Sequence, residues 1–149
     1  MPATNLNWVG LDMTLYRNTG TFATPTWVLV DNVQDLKMGS QMGEAELNSR
    51  KSKLVQKEPT LDEYVFNWGM IKDETDTNYT ALRTAKDART LVEFAFANGP
   101  IATSGTSYFR IETKIFGWDD DRPLTGGVGT SVTAKPCKSN NAPTWTVTP

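Results

Sequence analysis

The chain has 149 residues, of which 38% are hydrophobic and 10% aromatic, with a formal net charge of −2. This length and composition fit one folded domain and exclude a long disordered chain. The 15 basic and 17 acidic residues leave no excess of positive charge that would attract nucleic acid, which excludes a basic DNA-binding protein.

The residues that most often perform catalysis or bind metal are scarce. There is no histidine and one cysteine, Cys137, so zinc sites and histidine-dependent catalysis are excluded. The densest acidic run, Asp119-Asp120-Asp121, lacks the spaced ligands and glycine of a calcium loop, and we interpret it as a solvated turn after a strand. We therefore expect no enzyme, no metal and no cofactor, and only an enzyme that uses Asp or Glu alone stays open.

Nothing in the sequence indicates a membrane or secreted protein. Residues 1–7 carry neither a basic flank nor an apolar stretch, and no apolar run approaches the roughly 20 residues of a membrane helix. A single cysteine forms no disulfide within the chain, which suits a reducing cytoplasm. We expect a soluble protein made in the cytosol, with no membrane partner.

Alternating apolar and polar residues predict strands along most of the chain. In chain order the predicted strands cover residues 8–16, 27–33, 64–71, 91–97, 108–115 and 128–134. In the third of these, Tyr64, Phe66, Trp68 and Met70 share one face and are expected in the core. Pro136 ends the last strand, since proline lacks the donor that a sheet needs.

One segment has a helical period instead. Tyr79, Leu82 and Ala85 recur every three residues, and Thr75 or Asp76 can cap the N-terminus of a helix of about 14 residues. Together the elements predict a mainly β fold: an antiparallel β-sandwich or barrel with one flanking α-helix and a long inter-strand loop.

A polar, charged insert separates two of the strands, and we predict a loop over residues 37–57. So long a loop is seldom kept in a small domain without a function. Its blocks of opposite charge suit head-to-tail contact between identical copies, while a mobile solvated loop or hairpin is the alternative. The candidate subunit-contact residues are Lys37, Met38, Gln41, Met42, Glu44, Glu46, Arg50, Lys51, Lys53 and Lys57.

The C-terminal end differs from the rest of the chain. We expect residues 1–138 to form a single β-sandwich domain that carries the loop, and residues 139–149 to form an extended tail. Trp145 and Val147 are the candidate contact residues of this tail. Trp145 either folds back onto its own domain or docks on a neighbour.

The order of several motifs points to a family. Residues 26–36, TWVLVDNVQDL, precede the polar insert with its Ser-Arg-Lys at 49–51, and Glu-Pro-Thr-Leu at 58–61 then leads into the aromatic strand. The helix, the Asn-Gly-Pro at 98–100, the strand over 108–116, the runs 123–128 and 131–136, and the ending Pro-Thr-Trp at 143–145 follow. In this order, over roughly residues 27–147, the chain resembles the major tail (tail-tube) proteins of long-tailed bacteriophages.

This resemblance implies a structural protein of the virion. Such proteins assemble into hexameric rings that stack into a tube, through which DNA passes without specific binding. The resemblance places residues 37–57 against the neighbouring ring and names tape-measure, tail-terminator and baseplate or tip proteins as partners. It also implies a phage tail assembled in the host bacterial cytoplasm.

Two other functions are compatible with the same residues. A β-sandwich that binds carbohydrate or a cell surface would use exposed Trp8, Trp27 and Trp118 as stacking platforms. A head decoration or head–tail joining protein would share the composition and differ in its ring geometry.

Overall fold

The computed structural model describes residues 13–149. The strand predicted over residues 8–16 therefore lies partly outside the described residues, and Trp8 lies wholly outside them. The elements within them are β1 (Thr14–Asn18), β2 (Trp27–Leu29), β3 (Val33–Glu46), β4 (Lys57–Ile71), α1 (Thr77–Ala88), β5 (Val92–Ala97), β6 (Ser107–Asp121), β7 (Gly129–Pro136) and β8 (Thr144–Val147).

All the strands pair antiparallel in one sheet. Its order is β2-β1-β5-β6-β7-β4-β3, and β8 pairs with β6 beside this path. The long strand β6 joins the two halves, because its first part pairs with β5 and its last part with β7. The predicted mainly β, antiparallel fold with a helix is confirmed.

The sheet curls until its two halves face each other across the core. Phe66 of β4 stacks on Phe96 of β5 with ring centroids 4.4 Å apart, although β6 and β7 lie between these strands in the sheet. Trp68 of β4 packs edge-on to Phe94 of β5 across the same core, with ring centroids 5.1 Å apart. Phe66, Trp68 and Met70 are buried as predicted, and Tyr64 is half-buried at the margin.

A register shift in β6 changes which side chains face the core. Phe109, Ile111 and Ile115 are buried on one face. Between Ile115 and Gly117 the pairing with β7 slips by one residue, so Trp118 packs against the same core as Ile115, while Phe116 lies on the surface with 61% of its area exposed. A shift of this kind is a β-bulge, and it turns the following residues by one position.

The acidic run was wrongly predicted as a turn. Asp119, Asp120 and Asp121 are the last residues of β6 and pair with Ser131, Thr130 and Gly129 of β7. Backbone pairing with a partner strand extends β6 past the point where its side chains stop alternating, so side-chain polarity alone does not reveal the end of the strand.

Helix α1 is capped by Asp76 at its N-terminus and by Arg89 at its C-terminus. The carboxylate of Asp76 accepts a hydrogen bond from the backbone N–H of Asn78 at 3.0 Å, which satisfies a free donor of the first turn. Tyr79 and Leu82 are fully buried against the sheet. The helix ends at Arg89, whose φ of 57° is left-handed.

Removing the N-cap should weaken the domain. We expect Asp76→Ala to lower the free energy of unfolding by about 1 kcal/mol, because the N–H of Asn78 loses its acceptor. Urea unfolding followed by far-UV circular dichroism measures this. The matched control Asp87→Ala, at an exposed position near the other end of the helix, should change it by less than about 0.5 kcal/mol.

The face of the sheet opposite the main core carries a buried ion pair. Arg110 of β6 lies 2.7 Å from the carboxylate of Glu93 on β5, and their side chains are only 13% and 6% exposed. The guanidinium also sits 3.9 Å from the ring centroid of Phe22 and donates to the Phe22 carbonyl at 2.8 Å. This pair therefore holds the β1–β2 loop against the sheet.

Candidate assembly surfaces

The loop predicted over residues 37–57 is shorter in the structure: residues 37–46 and Lys57 belong to the strands of a long β-hairpin. Strands β3 and β4 pair from Val33 with Met70 to Glu46 with Lys57, and only residues 47–56 connect them. The N–H of Leu47 donates to the carbonyl of Gln56 at 2.9 Å and closes the turn. The strands were missed because both of their faces meet water there, so the alternation that marks a half-buried strand is absent.

The outer part of this hairpin projects from the body. Residues 41–63 are all exposed except the half-buried Ala45 and Ser52. We call residues 41–63 the arm and residues 47–56 the tip.

The arm exposes apolar side chains, of which only Met42 is among the residues predicted for subunit contact. The exposed fractions are 54% for Met42, 55% for Leu47, 76% for Leu54, 68% for Val55 and 85% for Leu61. Several such side chains on one projecting element indicate a surface that a partner covers. They have no period, so the only signal in the sequence is their presence in a charged insert.

The residues predicted for subunit contact are spread along this hairpin. Lys37, Met38, Gln41, Met42, Glu44 and Glu46 lie on β3, Lys57 begins β4, and Arg50, Lys51 and Lys53 lie in the tip. The structure brings Glu44 and Lys57 together in an ion pair of 2.6 Å. Both side chains are at least half exposed, so this pair contributes little to stability.

The C-terminal tail folds back onto its own domain, one of the two alternatives for Trp145. Residues Thr144–Val147 form β8 and pair with the first residues of β6. The Trp145 ring lies 5.2 Å from that of Phe109, yet 61% of Trp145 and 60% of Val147 stay exposed. The tail is therefore anchored in the sheet and still offers apolar area on its outer side.

An apolar groove joins the base of the hairpin to this tail. Its cavity of about 160 Å³ is lined by Met13, Thr14, Leu36, Met38, Phe96, Ala97, Asn98 and Trp145. Two predicted contact residues, Met38 and Trp145, thus meet in one surface. Of the remaining predicted contacts, Lys37 lies on β3 and Val147 on β8, and the others lie further out on the arm.

Among the described strands, three leave an edge unpaired: β2 and β3 at the ends of the strand order, and β8, which pairs only with β6. Strand β3 is 14 residues long. A long edge presents unpaired backbone donors and acceptors that another strand can bind. This edge continues along the arm, so the exposed apolar residues and the free backbone groups belong to one element.

Acidic side chains gather where β4, β6 and β7 meet at the other end of the hairpin. A hydrogen bond from the Thr130 hydroxyl, at 2.8 Å, holds the pKa of Asp120 below its usual value, and Arg122 and Lys72 act in the same direction. Hydrogen bonds from the hydroxyl and the N–H of Thr75 lower the pKa of Asp73. Across the described residues, no group of three or more carboxylate or cysteine ligands is placed to hold a metal.

Trp27 and Trp118, the two predicted carbohydrate-stacking residues that the structure describes, do not share one surface. Trp27 is half-buried and packs edge-on to Tyr108 with centroids 6.0 Å apart. Trp118 is half-buried against Tyr79 at 5.3 Å, in a different apolar cluster. Both rings are used in packing, and Trp8 lies outside the described residues.

The described part of the chain contains no helix with the length and apolar character needed to cross a membrane.

Comparison with known proteins relates the fold to assembled tails. No family model matches the sequence, and neither does any curated protein. Among solved structures, the tail of an empty gene transfer agent particle, refined helically with C6 symmetry, superimposes with a TM-score of 0.73 at 10% identity, covering 95% of this chain and all of that one. The virion of a native gene transfer agent particle gives 0.70 at 11% identity, with 95% and 100% covered.

A third solved structure agrees with these two. The SPP1 tail tube matches with a TM-score of 0.67 at 16% identity, covering 87% of this chain and 75% of that chain. Identities this low show the fold and not the activity. The chain therefore has the fold of tail-tube proteins, which confirms the resemblance that the order of its sequence motifs predicted.

Proposed function

We propose that this protein is the tube subunit of a phage-like tail. Its copies would associate into hexameric rings, and the rings would stack into a conduit through which DNA leaves the particle. The observation that carries the proposal is the exposed arm with its apolar residues and free strand edge, on a fold shared with assembled tails. The C6 symmetry of the gene transfer agent tail supports six copies in a ring.

Self-association would cover both the unpaired strand edge and the apolar groove of the single chain. The outer edge of β3 can pair with a strand of a neighbour, and the groove at Met38 and Trp145 can receive an apolar side chain. A head-to-tail contact between identical copies forms a ring when its rotation closes, and a second head-to-tail contact along the axis repeats without closing and stacks the rings.

The charge of the chain suits a passage for DNA. A net charge of −2 gives the wall of a tube no general attraction for phosphates, so DNA can move along it without being held. The expected partners are other copies of this chain, together with tape-measure, tail-terminator and baseplate or tip proteins. The location would be the tail of the virion, after assembly in the host bacterial cytoplasm.

Purified protein tests this proposal directly. We expect rings or tubes in negative-stain electron microscopy and a concentration-dependent increase in sedimentation coefficient, because each copy presents unpaired edges. Tubes with a six-fold projection would support the hexameric ring. Monomers alone, even at high concentration and with a tail-initiation complex added, would refute it.

A further inference from the structure

The tip of the arm carries three cations that the molecule does not neutralise. Arg50, Lys51 and Lys53 are exposed, and none forms an ion pair with another described residue, whereas Lys57 at the base of the tip is paired with Glu44. Three like charges within four positions repel one another in the free protein. An anionic surface that covers the tip would therefore relieve this repulsion.

A surface of the opposite charge lies at the far end of the same hairpin. Ile71, the last residue of β4, pairs with Gly129, and Gly129 also pairs with Asp121 of β6. Asp31 precedes Asn32, whose side-chain amide donates to the carbonyl of Ile71. We call the region of Asp31, Asp119 and Asp121 around Ile71 the acidic end.

These carboxylates are also left without cations in the single molecule. Asp31, Asp119 and Asp121 are exposed and form no ion pair with the described residues, while nearby Asp120 is paired with Arg122 and Lys72. The tip therefore has unpaired positive charge and the acidic end unpaired negative charge, and each can form ion pairs with a partner.

The two surfaces lie at opposite ends of one long strand. Strand β4 runs from Lys57 at the tip to Ile71 at the acidic end, and its 15 residues place them about 45 Å apart at the usual rise of a strand. One molecule cannot bring its own tip to its own acidic end. A second copy displaced along the hairpin can do so.

We propose that the tip of each copy docks by its cations onto the acidic end of a second copy, in the next ring along the tube. The inference rests on the proposed function and specifies which surface receives the arm. A contact between two different surfaces of the same chain repeats in one direction, so it sets the polarity of the stack as well as its strength. Charge complementarity of this kind also fixes the register between partners.

A competing receptor for the tip lies on the arm itself. Glu58 and Glu63 of β4 are exposed and form no ion pair with the described residues. A tip docked there would join arms side by side and would not advance to another ring. The acidic end and the arm can be distinguished as receptors by testing which set of acidic-to-lysine substitutions restores assembly of the charge-reversed tip.

Charge reversal in the full chain tests the inference. One double variant is Lys51→Glu with Lys53→Glu, and the other is Asp119→Lys with Asp121→Lys. We expect each of them to raise the protein concentration needed for tube formation at least about tenfold, because like charges then face each other across the contact. Combining all four substitutions should restore it to within about threefold of the unaltered protein. Lys135→Glu with Lys138→Glu, an equal change of charge elsewhere, should leave tube formation unchanged.

The measurement is light scattering with electron microscopy at low and high salt, with circular dichroism on each variant to establish folding. A cysteine pair gives a second readout: Lys51→Cys and Asp121→Cys, in a Cys137→Ser background, should form intermolecular disulfides on mild oxidation in tubes only.

Several results would overturn the inference. Unaltered tube formation by both reversed variants would do so, as would failure of the four-substitution variant to recover, or absence of the disulfide in tubes. Recovery when the tip variant is combined instead with Glu58→Lys and Glu63→Lys would assign the tip to the neighbouring arm. If the unaltered protein never polymerises, the proposed function fails with it, whereas tubes indifferent to these charges reject this inference alone.

Discussion

Replacing residues 43–61 with Asn-Gly should give a folded protein that forms no tubes. Met42 and Asp62 face each other in the hairpin, so a two-residue turn can join them without changing the register of the strands that remain. Asn-Gly is the preferred sequence for such a turn, because both positions need a positive φ.

The expected separation of folding from assembly follows from burial. The removed residues are exposed apart from Ala45 and Ser52, and none belongs to the buried core. Their loss should therefore change the free energy of unfolding by no more than about 1 kcal/mol. Circular dichroism and urea unfolding measure the fold, and electron microscopy with sedimentation measures assembly.

A matched pair of point variants tells whether the apolar residues of the arm matter. Leu54→Ser with Val55→Ser should weaken assembly strongly, since these side chains are 76% and 68% exposed in the single chain and have no role in its fold. Leu91→Ser changes a leucine that is 46% exposed between α1 and β5, outside both the arm and the acidic end, and should leave assembly unaltered. Tubes formed normally by the arm-replaced protein would show that the arm is not an assembly surface.

The sequence predicted the parts of the fold whose physical cause is local. Phe66, Trp68 and Met70 alternate because one face of β4 is buried there, and period-two patterning reports that directly. Asp76 was recognisable, with Thr75, as one of two candidate caps, because a side-chain oxygen before a helical stretch satisfies free N–H groups.

What the sequence did not reveal depends on partners distant along the chain. The outer halves of β3 and β4 are strands only because they pair with each other, so their side chains carry no core pattern. Asp119 to Asp121 continue a strand because β7 lies alongside. The bulge after Ile115, which brings Trp118 to the core, is a property of that pairing as well.

The candidate assembly surfaces also have a part that the sequence predicts and a part that only the fold creates. Charged residues of the insert were identifiable from composition, and the ten contact residues predicted in the insert all lie on the hairpin. The groove shared by Met38 and Trp145 joins segments about a hundred positions apart, and only the curled sheet brings them together. Whether these residues contact a neighbour stays a prediction for the assembled tube.

Breaking the buried ion pair on the opposite face should produce the largest loss of stability. In the full chain, Arg110→Ala is expected to lower the free energy of unfolding by about 3–5 kcal/mol, because Glu93 would be left charged and buried without its partner. The substitution also removes the contacts of the guanidinium with Phe22, so the β1–β2 loop should become accessible to proteases. Urea unfolding below the concentration of tube formation, with limited proteolysis, measures both effects.

Two further variants test whether the buried, unpaired charge of Glu93 causes this loss of stability. Glu74→Ala removes the partner of Arg83 in an Arg–Glu pair at 3.4 Å whose side chains are 43% and 62% exposed, and it should cost less than about 1 kcal/mol. The combined variant Arg110→Met with Glu93→Leu leaves no unpaired charge and should be less destabilised than Arg110→Ala. A cost below 1 kcal/mol for Arg110→Ala, or a combined variant as unstable as the sum of its two single substitutions, would show that desolvated charge does not control the stability of this face.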